Sequence, residues 1–149
     1  MAIARGAGTE IIRSASFEAI NNTARVLITG EQHHIYTVLS VIIYADAVNA
    51  AGDKCNLYLN AYDSMGGTTD QNIYLLANEF QLADTFIWND KFSFNGHEPT
   101  DFTGPMDDAT KQDAIADQGS SVAQRLFAVA EDASDSFEIH VTYIDQNNA

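Results

Sequence analysis

The sequence predicts an all-β protein, an antiparallel, jelly-roll-like β-sandwich of about eight or nine short strands with one short helix inside a long connection. Three observations lead there. Segments such as "KCNLYLNAYD" (54–63) and "SFEIHVTYID" (136–145) alternate apolar and polar residues, the period-two signature of a half-buried strand. The longest apolar run, Ile35 to Tyr44, is rich in β-branched and aromatic residues, which fit a pleated surface and lose rotamer freedom in a helix. Clusters of Gly, Asn and Asp punctuate the chain between these segments, as turns do.

In chain order, the first strands are expected at 10–17, 25–28 and 35–44. The last of these is interrupted by Thr37 and Ser40 and falls well short of the ~20 residues a membrane helix needs, so it reads as a central strand covered on both faces. In 54–63, Cys55, Leu57, Leu59 and Ala61 take the inner face, and Asn56, Tyr58 and Asn60 the other. Strands at 72–77, 85–88 and 91–95 follow, and "FIWNDKFSFNG" reads as a hairpin turning at Asn89-Asp90. The segment "GPMDDATKQDAIADQG" (104–119) breaks the β pattern: Asp107 is placed to cap a helix, acids fill its first turn, and Gly119 stops it. Strands at 122–129 and 136–145 close the chain around the turn "AEDASDSF", with Phe137, Ile139, Val141 and Tyr143 facing in. The length suits one domain over 9–149, with residues 1–8, "MAIARGAG", as an N-terminal arm.

Composition narrows the partners. Seven Lys and Arg against 21 Asp and Glu give a formal charge of −14, spread along the chain. Such a surface repels phosphate backbones and anionic headgroups, so neither nucleic acid nor a membrane is an expected partner. Cys55 is the single cysteine, which forbids an internal disulfide and suits a buried thiol. The first ten residues lack the apolar core of a secretory signal, so the chain is expected to be made and kept in the cytoplasm unless assembly or lysis carries it out.

No pattern of catalysis stands out. His33 and His34 are adjacent and point to opposite faces of a strand, so they do not share a metal; His97, Glu98 and His140 lack ligand spacing. Asp107, Asp108, Asp113 and Asp117, and the run from Glu131 to Asp135, lack the interleaved loop that gathers oxygens around calcium. Ser64 in "YDSMGG" is not a nucleophile elbow. The sequon at Asn21 is short enough to arise by chance. No cofactor or metal is expected, and the chain does not read as an enzyme. One binding signal remains, the strand aromatics: Trp88, Tyr62, Phe92, Phe94 and Phe102 could form a sugar-stacking platform if several were exposed together, Trp88 and Tyr62 foremost, which would make the chain a carbohydrate- or receptor-binding module.

Five segments, "GTEIIRS", "EQHHIYTVLSVIIYA", "FIWNDKFSFNG", "KQDAIADQGSS" and "IHVTYIDQNNA", cover most of the length and resemble small virion structural proteins of tailed bacteriophages, particularly those of marine and cyanobacterial hosts. The resemblance implies a β-rich, oligomeric capsid decoration or cement protein, or a connector or fibre component, located in the virion. It implies two partners: further copies of the chain, a trimer being the expected form, and the major capsid protein. It carries over no site residues. The expected interface comprises Ile3 and Arg5 of the arm with Phe92, Phe94 and Phe102, and removing the residues before Thr9 is expected to weaken assembly while the fold survives.

Overall fold

The computed structural model describes residues 8–63, 66–100 and 107–148. Ile3, Arg5, Ser64 and Phe102, and all of the expected arm but Gly8, lie outside the described residues. The strands are β1 (Thr9–Ile20), β2 (Arg25–Thr29), β3 (His34–Ala47), β4 (Asp53–Asp63), β5 (Thr68–Phe80), β6 (Thr85–Trp88), β7 (Phe92–Asn95), β8 (His97–Pro99), β9 (Ser121–Ala123), β10 (Arg125–Ala130) and β11 (Ser136–Asn147), with the helix α1 at Ala109–Asp117. Pairing is antiparallel and nested: β1 lies on β11, β2 on β10, β3 on β6 and β7, and β4 on β5. A long hairpin folded this way and rolled gives two facing sheets, β1-β11-β3-β6 with β7 also on β3, and β2-β10-β4-β5. This is the jelly-roll arrangement the sequence predicts. β8 and β9 form a separate ribbon beside it.

The alternation read in the sequence sets the core. Phe137, Ile139 and Val141 of β11 and Val38, Val41 and Ile43 of β3 face Leu57 and Cys55 of β4 and Leu126 and Ala128 of β10. Tyr58 lies outside this cluster although it too is buried, so it is covered from the other face of the sheet. Burial pushes the Cys55 thiol up to about 12, with the Asp135 charge adding to it. Below the ordinary thiol range near 9 this costs nothing; above it the unfolded thiol ionises and the folded one does not, so stability falls as pH rises from 9 towards 12. Native protein at pH 8 is therefore expected to resist a thiol reagent, with labelling that tracks denaturant unfolding. Rapid native labelling would contradict this placement.

Several expectations are corrected. The described residues hold eleven strands, and β1, β3, β4, β5 and β11 are not short, at 11 to 14 residues each. β6 and β7 are not a hairpin: both run along β3, Trp88 opposite Val41 and Phe92 opposite Val38, as one strand interrupted at 89–91. The interruption lets Trp88 and Phe92 both pack on the core, and the Trp88 indole N–H donates to the Asp90 carbonyl at 2.7 Å. The expected strand 122–129 breaks at Gln124, whose N–H leaves the ladder for the Gly96 carbonyl at 2.9 Å. The helix is capped by Asp108, which accepts from the Lys111 N–H at 2.8 Å, while Asp107 pairs with the Lys111 ammonium at 3.0 Å. No acid lies in its first turn, and it ends at Gln118 in the left-handed conformation, one residue before Gly119.

Buried charge fastens the sandwich at two places. Asp145 is 3% exposed, and it accepts from Arg13 of β1 at 3.1 Å and lies 2.5 Å from Nδ1 of His34 on β3. Asp135, equally buried, accepts the N–H groups of Asn49 and Asp132 at 2.8 and 2.9 Å, tying the β3–β4 and β10–β11 turns together. Neither role shows in a linear reading, because Arg13 and His34 are distant in sequence from Asp145, and Asn49 from Asp135.

Candidate functional site

The outer face of the five-stranded sheet carries a stretch without charged residues on a strongly acidic chain. Because side chains alternate, Ser14 and Ser16 of β1, His140 and Thr142 of β11, and Ser40 and Ile42 of β3 all point away from the core. Register aligns them in rows. One runs Ser16, His140, Ile42, Ile87; the next runs Ser14, Thr142, Ser40. A third places Ile12 beside Ile144 and Thr37. The Ser16 hydroxyl lies 2.7 Å from His140 Nδ1 and the Ser14 and Thr142 hydroxyls lie 3.2 Å apart, cross-strand pairs of the kind that stabilise a sheet.

These rows hold no Asp, Glu, Lys or Arg in a chain of net charge −14. Glu10, Glu18, Asp46 and Glu138 stand towards the strand ends. Ile12 is 71% exposed and Ile87 58%, although both are large and apolar. A depression of about 270 Å³ opens between the Ser16, His140 and Ile42 row and the acidic rim, lined also by Phe17 and Tyr44 with Glu18 and Glu138. The centre is thus uncharged, with exposed isoleucines set among Ser, Thr and His, within a charged rim, a surface on which a partner can dock without desolvating a charge.

The structure does not assemble the expected site residues on this face. Phe94 is 6% exposed and stacks on Tyr36 at 5.4 Å, and Phe92 packs against the same core, so these rings serve the interior and not an interface. Both alternate inward with Ser93 between them, which the strand pattern could have signalled. Trp88 packs inward from β6 in one sheet and Tyr62 sits on β4 in the other, so they form no common sugar platform. His34 is engaged by Asp145, and His97 lies 3.0 Å from the Ser121 hydroxyl. Burial and the neighbouring His33 push the pKa of His97 down. Among the described residues no group of three or more His, Cys, Asp or Glu is placed to hold a metal ion, and no helix is long and apolar enough to cross a membrane.

No family model and no curated protein matches the chain. Among solved structures, Bacillus endospore appendages, described as disulfide-linked pili, are similar over 100% of this chain and 97% of the other at 12% identity, with a TM-score of 0.40. Infectious bursal disease virus, Gx strain, is similar over 95% of this chain at 7% identity and a TM-score of 0.48, and the VP2 subviral particle of that virus over 99% at 9% and 0.42. This chain spans 33% and 39% of the length of those two viral chains. Likeness at this level transfers no site and no activity.

Proposed function

We propose that the chain is a non-enzymatic structural subunit of a bacteriophage virion, a capsid decoration or cement protein that docks through the outer face of its five-stranded sheet. The observation that carries the reading is the uncharged, isoleucine-bearing centre of that face on a chain of −14. Copies of so acidic a protein repel one another at long range, so a stable contact needs a patch where like charges do not meet. The resemblance of the sequence to virion structural proteins supports the same role and supplies the partners, further copies of the chain as a trimer and the major capsid protein.

The test is mass by light scattering, alone and after incubation with virions stripped of this protein. The wild type is expected to form a small oligomer and to decorate the particle. A variant carrying both Ile42→Asp and Ile87→Asp is expected to lose particle binding by about a hundredfold while its unfolding midpoint moves little, since both side chains are exposed. Undiminished binding by that variant would overturn the assignment of the face.

A further inference from the structure

The outer face of the smaller sheet carries a second feature that assembly does not explain. Register places Phe127 of β10 opposite Tyr58 of β4, and Tyr58 opposite Tyr74 of β5. Phe127 and Tyr58 stack at 5.2 Å with their planes 4° apart, and Tyr58 meets Tyr74 at 5.2 Å. Tyr58 is closed in by its neighbours, whereas Tyr74 is 57% exposed and ends the row as an open aromatic surface.

Alongside runs a polar row, with Arg125 opposite Asn60 and Asn60 opposite Asn72. The Asn60 amide is itself buried, accepting from Arg125 Nη2 at 3.2 Å and donating to Asn72 Oδ1 at 3.0 Å and Asp70 Oδ1 at 3.4 Å. The Arg125 guanidinium lies over the Phe127 ring at 5.1 Å and 3.8 Å from the Asp70 carboxylate. Its Nε–H is shielded from solvent and lacks an acceptor among the described residues. Buried polar groups are normally satisfied, so this donor is an exception within the row, and being shielded it can report on the arrangement of Arg125 without itself meeting a ligand. Arg125, Asn60, Asp70, Ala61 and Thr29 line a cleft of about 430 Å³, closed on one side by Val122 and Ala123 of β9 and within the range of small-molecule sites, about 300–1,000 Å³.

We propose that this cleft binds a neutral sugar ring, hydrogen-bonded through its hydroxyls to Arg125, Asn60 and Asp70 of its lining and reaching out to Asn72 and the exposed Tyr74 ring on the adjoining strand β5. The chemistry fits in three respects. A hydroxyl both donates and accepts, and this row offers amide and guanidinium donors beside amide and carboxylate acceptors. A pyranose has an apolar face of C–H groups suited to an exposed ring at the edge of the polar row. Asp70 and the overall negative charge oppose an anionic ligand, while Arg125 in the floor opposes a cation. The inference is independent of the assembly reading, since it uses the opposite sheet.

The experiment is an NMR titration of nitrogen-15-labelled full-length protein, following the Arg125 Nε–H and the side-chain amides of Asn60 and Asn72. The probes are glucose, galactose, mannose, N-acetylglucosamine and their homodisaccharides, with glucuronate and glucosamine as charged controls. At least one neutral probe is expected to give saturable shifts at these signals below about 50 mM, weakened about tenfold in Tyr74→Ala and separately in Asn72→Ala, and unchanged in Trp88→Phe. Both weakened variants alter exposed side chains, so a folded spectrum is expected for each. The proposal is overturned if no neutral probe saturates, if the shifts survive both variants, or if a charged control binds better than its neutral parent.

Discussion

Gly96→Ala is expected to abolish the fold or to cost upwards of about 3 kcal/mol, among the largest effects any single methyl group has in this chain. Three connections cross here backbone to backbone. The Gly30 N–H donates to the Gln124 carbonyl at 2.9 Å, the Gln124 N–H to the Gly96 carbonyl at 2.9 Å, and the Gly96 N–H to the His34 carbonyl at 2.8 Å. A Cβ on Gly96 would fall inside the radius of the Glu31 carbonyl oxygen and 2.9 Å from the Glu31 nitrogen. A Cβ on Gly30 would meet the Gly96 carbonyl oxygen as closely, with the Gln124 oxygen at 2.7 Å. These neighbours are main chain held in place, the Gln124 and Gly96 carbonyls by the bonds just named and Glu31 by the His34 N–H on its carbonyl at 3.3 Å and its own N–H on the Tyr36 hydroxyl at 3.1 Å, so none can swing away. Urea unfolding of Gly96→Ala and Gly30→Ala beside Gly119→Ala checks this, because a Cβ at Gly119 meets nothing nearer than Asp117 Oδ2 at 3.8 Å. The first two are expected to unfold early or fail to accumulate, and the third to stay within about 1 kcal/mol of wild type. Similar midpoints for Gly96→Ala and Gly119→Ala would remove the crossing from the account.

Phe137→Ala is expected to cost about 3–5 kcal/mol, the range for removing a buried phenylalanine ring. Phe137 is fully buried on β11, and its ring meets the Phe80 ring edge-on at 5.0 Å and 67°. Phe80 belongs to β5 in the other sheet, so this pair bridges the two layers of the sandwich. Truncation removes the ring's transfer energy, the edge-to-face contact, and the filling of a space that two flanking sheets cannot close. Phe137→Leu refills most of that space and is expected to recover more than half of the loss. Denaturant midpoints for the pair check it. A cost below about 1 kcal/mol for the alanine variant would mean that the sheets do not pack through these rings.

What the sequence disclosed and what it concealed divide along physical lines. Alternation is local, so the inward set Phe137, Ile139, Val141 and Tyr143 was legible; the segment around Val41 and Ile43 reads as covered on both faces, yet only its inner face is buried, and Ile42 between them is exposed on the outer face. Pairing is not local. Nothing near Trp88 or Phe92 says that both strands run along β3, and Asn89-Asp90 has the residues of a hairpin turn although it serves as an interruption. The helix was found, yet its cap was misplaced by one residue, because Asp107 and Asp108 have the same capping chemistry and only backbone geometry chooses between them.

The two surfaces were concealed for the same reason. Ser16, Ile42, Ile87 and His140 are polar or apolar positions on four separate segments, and an uncharged face exists only once register sets them side by side. Tyr58, Tyr74 and Phe127 likewise converge only through the β10-β4-β5 ladder. Reading aromatics as candidates by type alone favoured Trp88, Phe92 and Phe94, which the strand period turns inward.

The measurement that bears most directly on the central claim is side-chain oxidation footprinting of the free protein against the particle-bound protein. Ile12, Ile42 and Ile87 are expected to become protected on assembly, while Ile73 and Tyr74 on the other sheet keep the oxidation they show when free. Protection confined to β5, with Ile42 and Ile87 as reactive as before, would contradict the proposal that the outer face of the five-stranded sheet is where this protein docks.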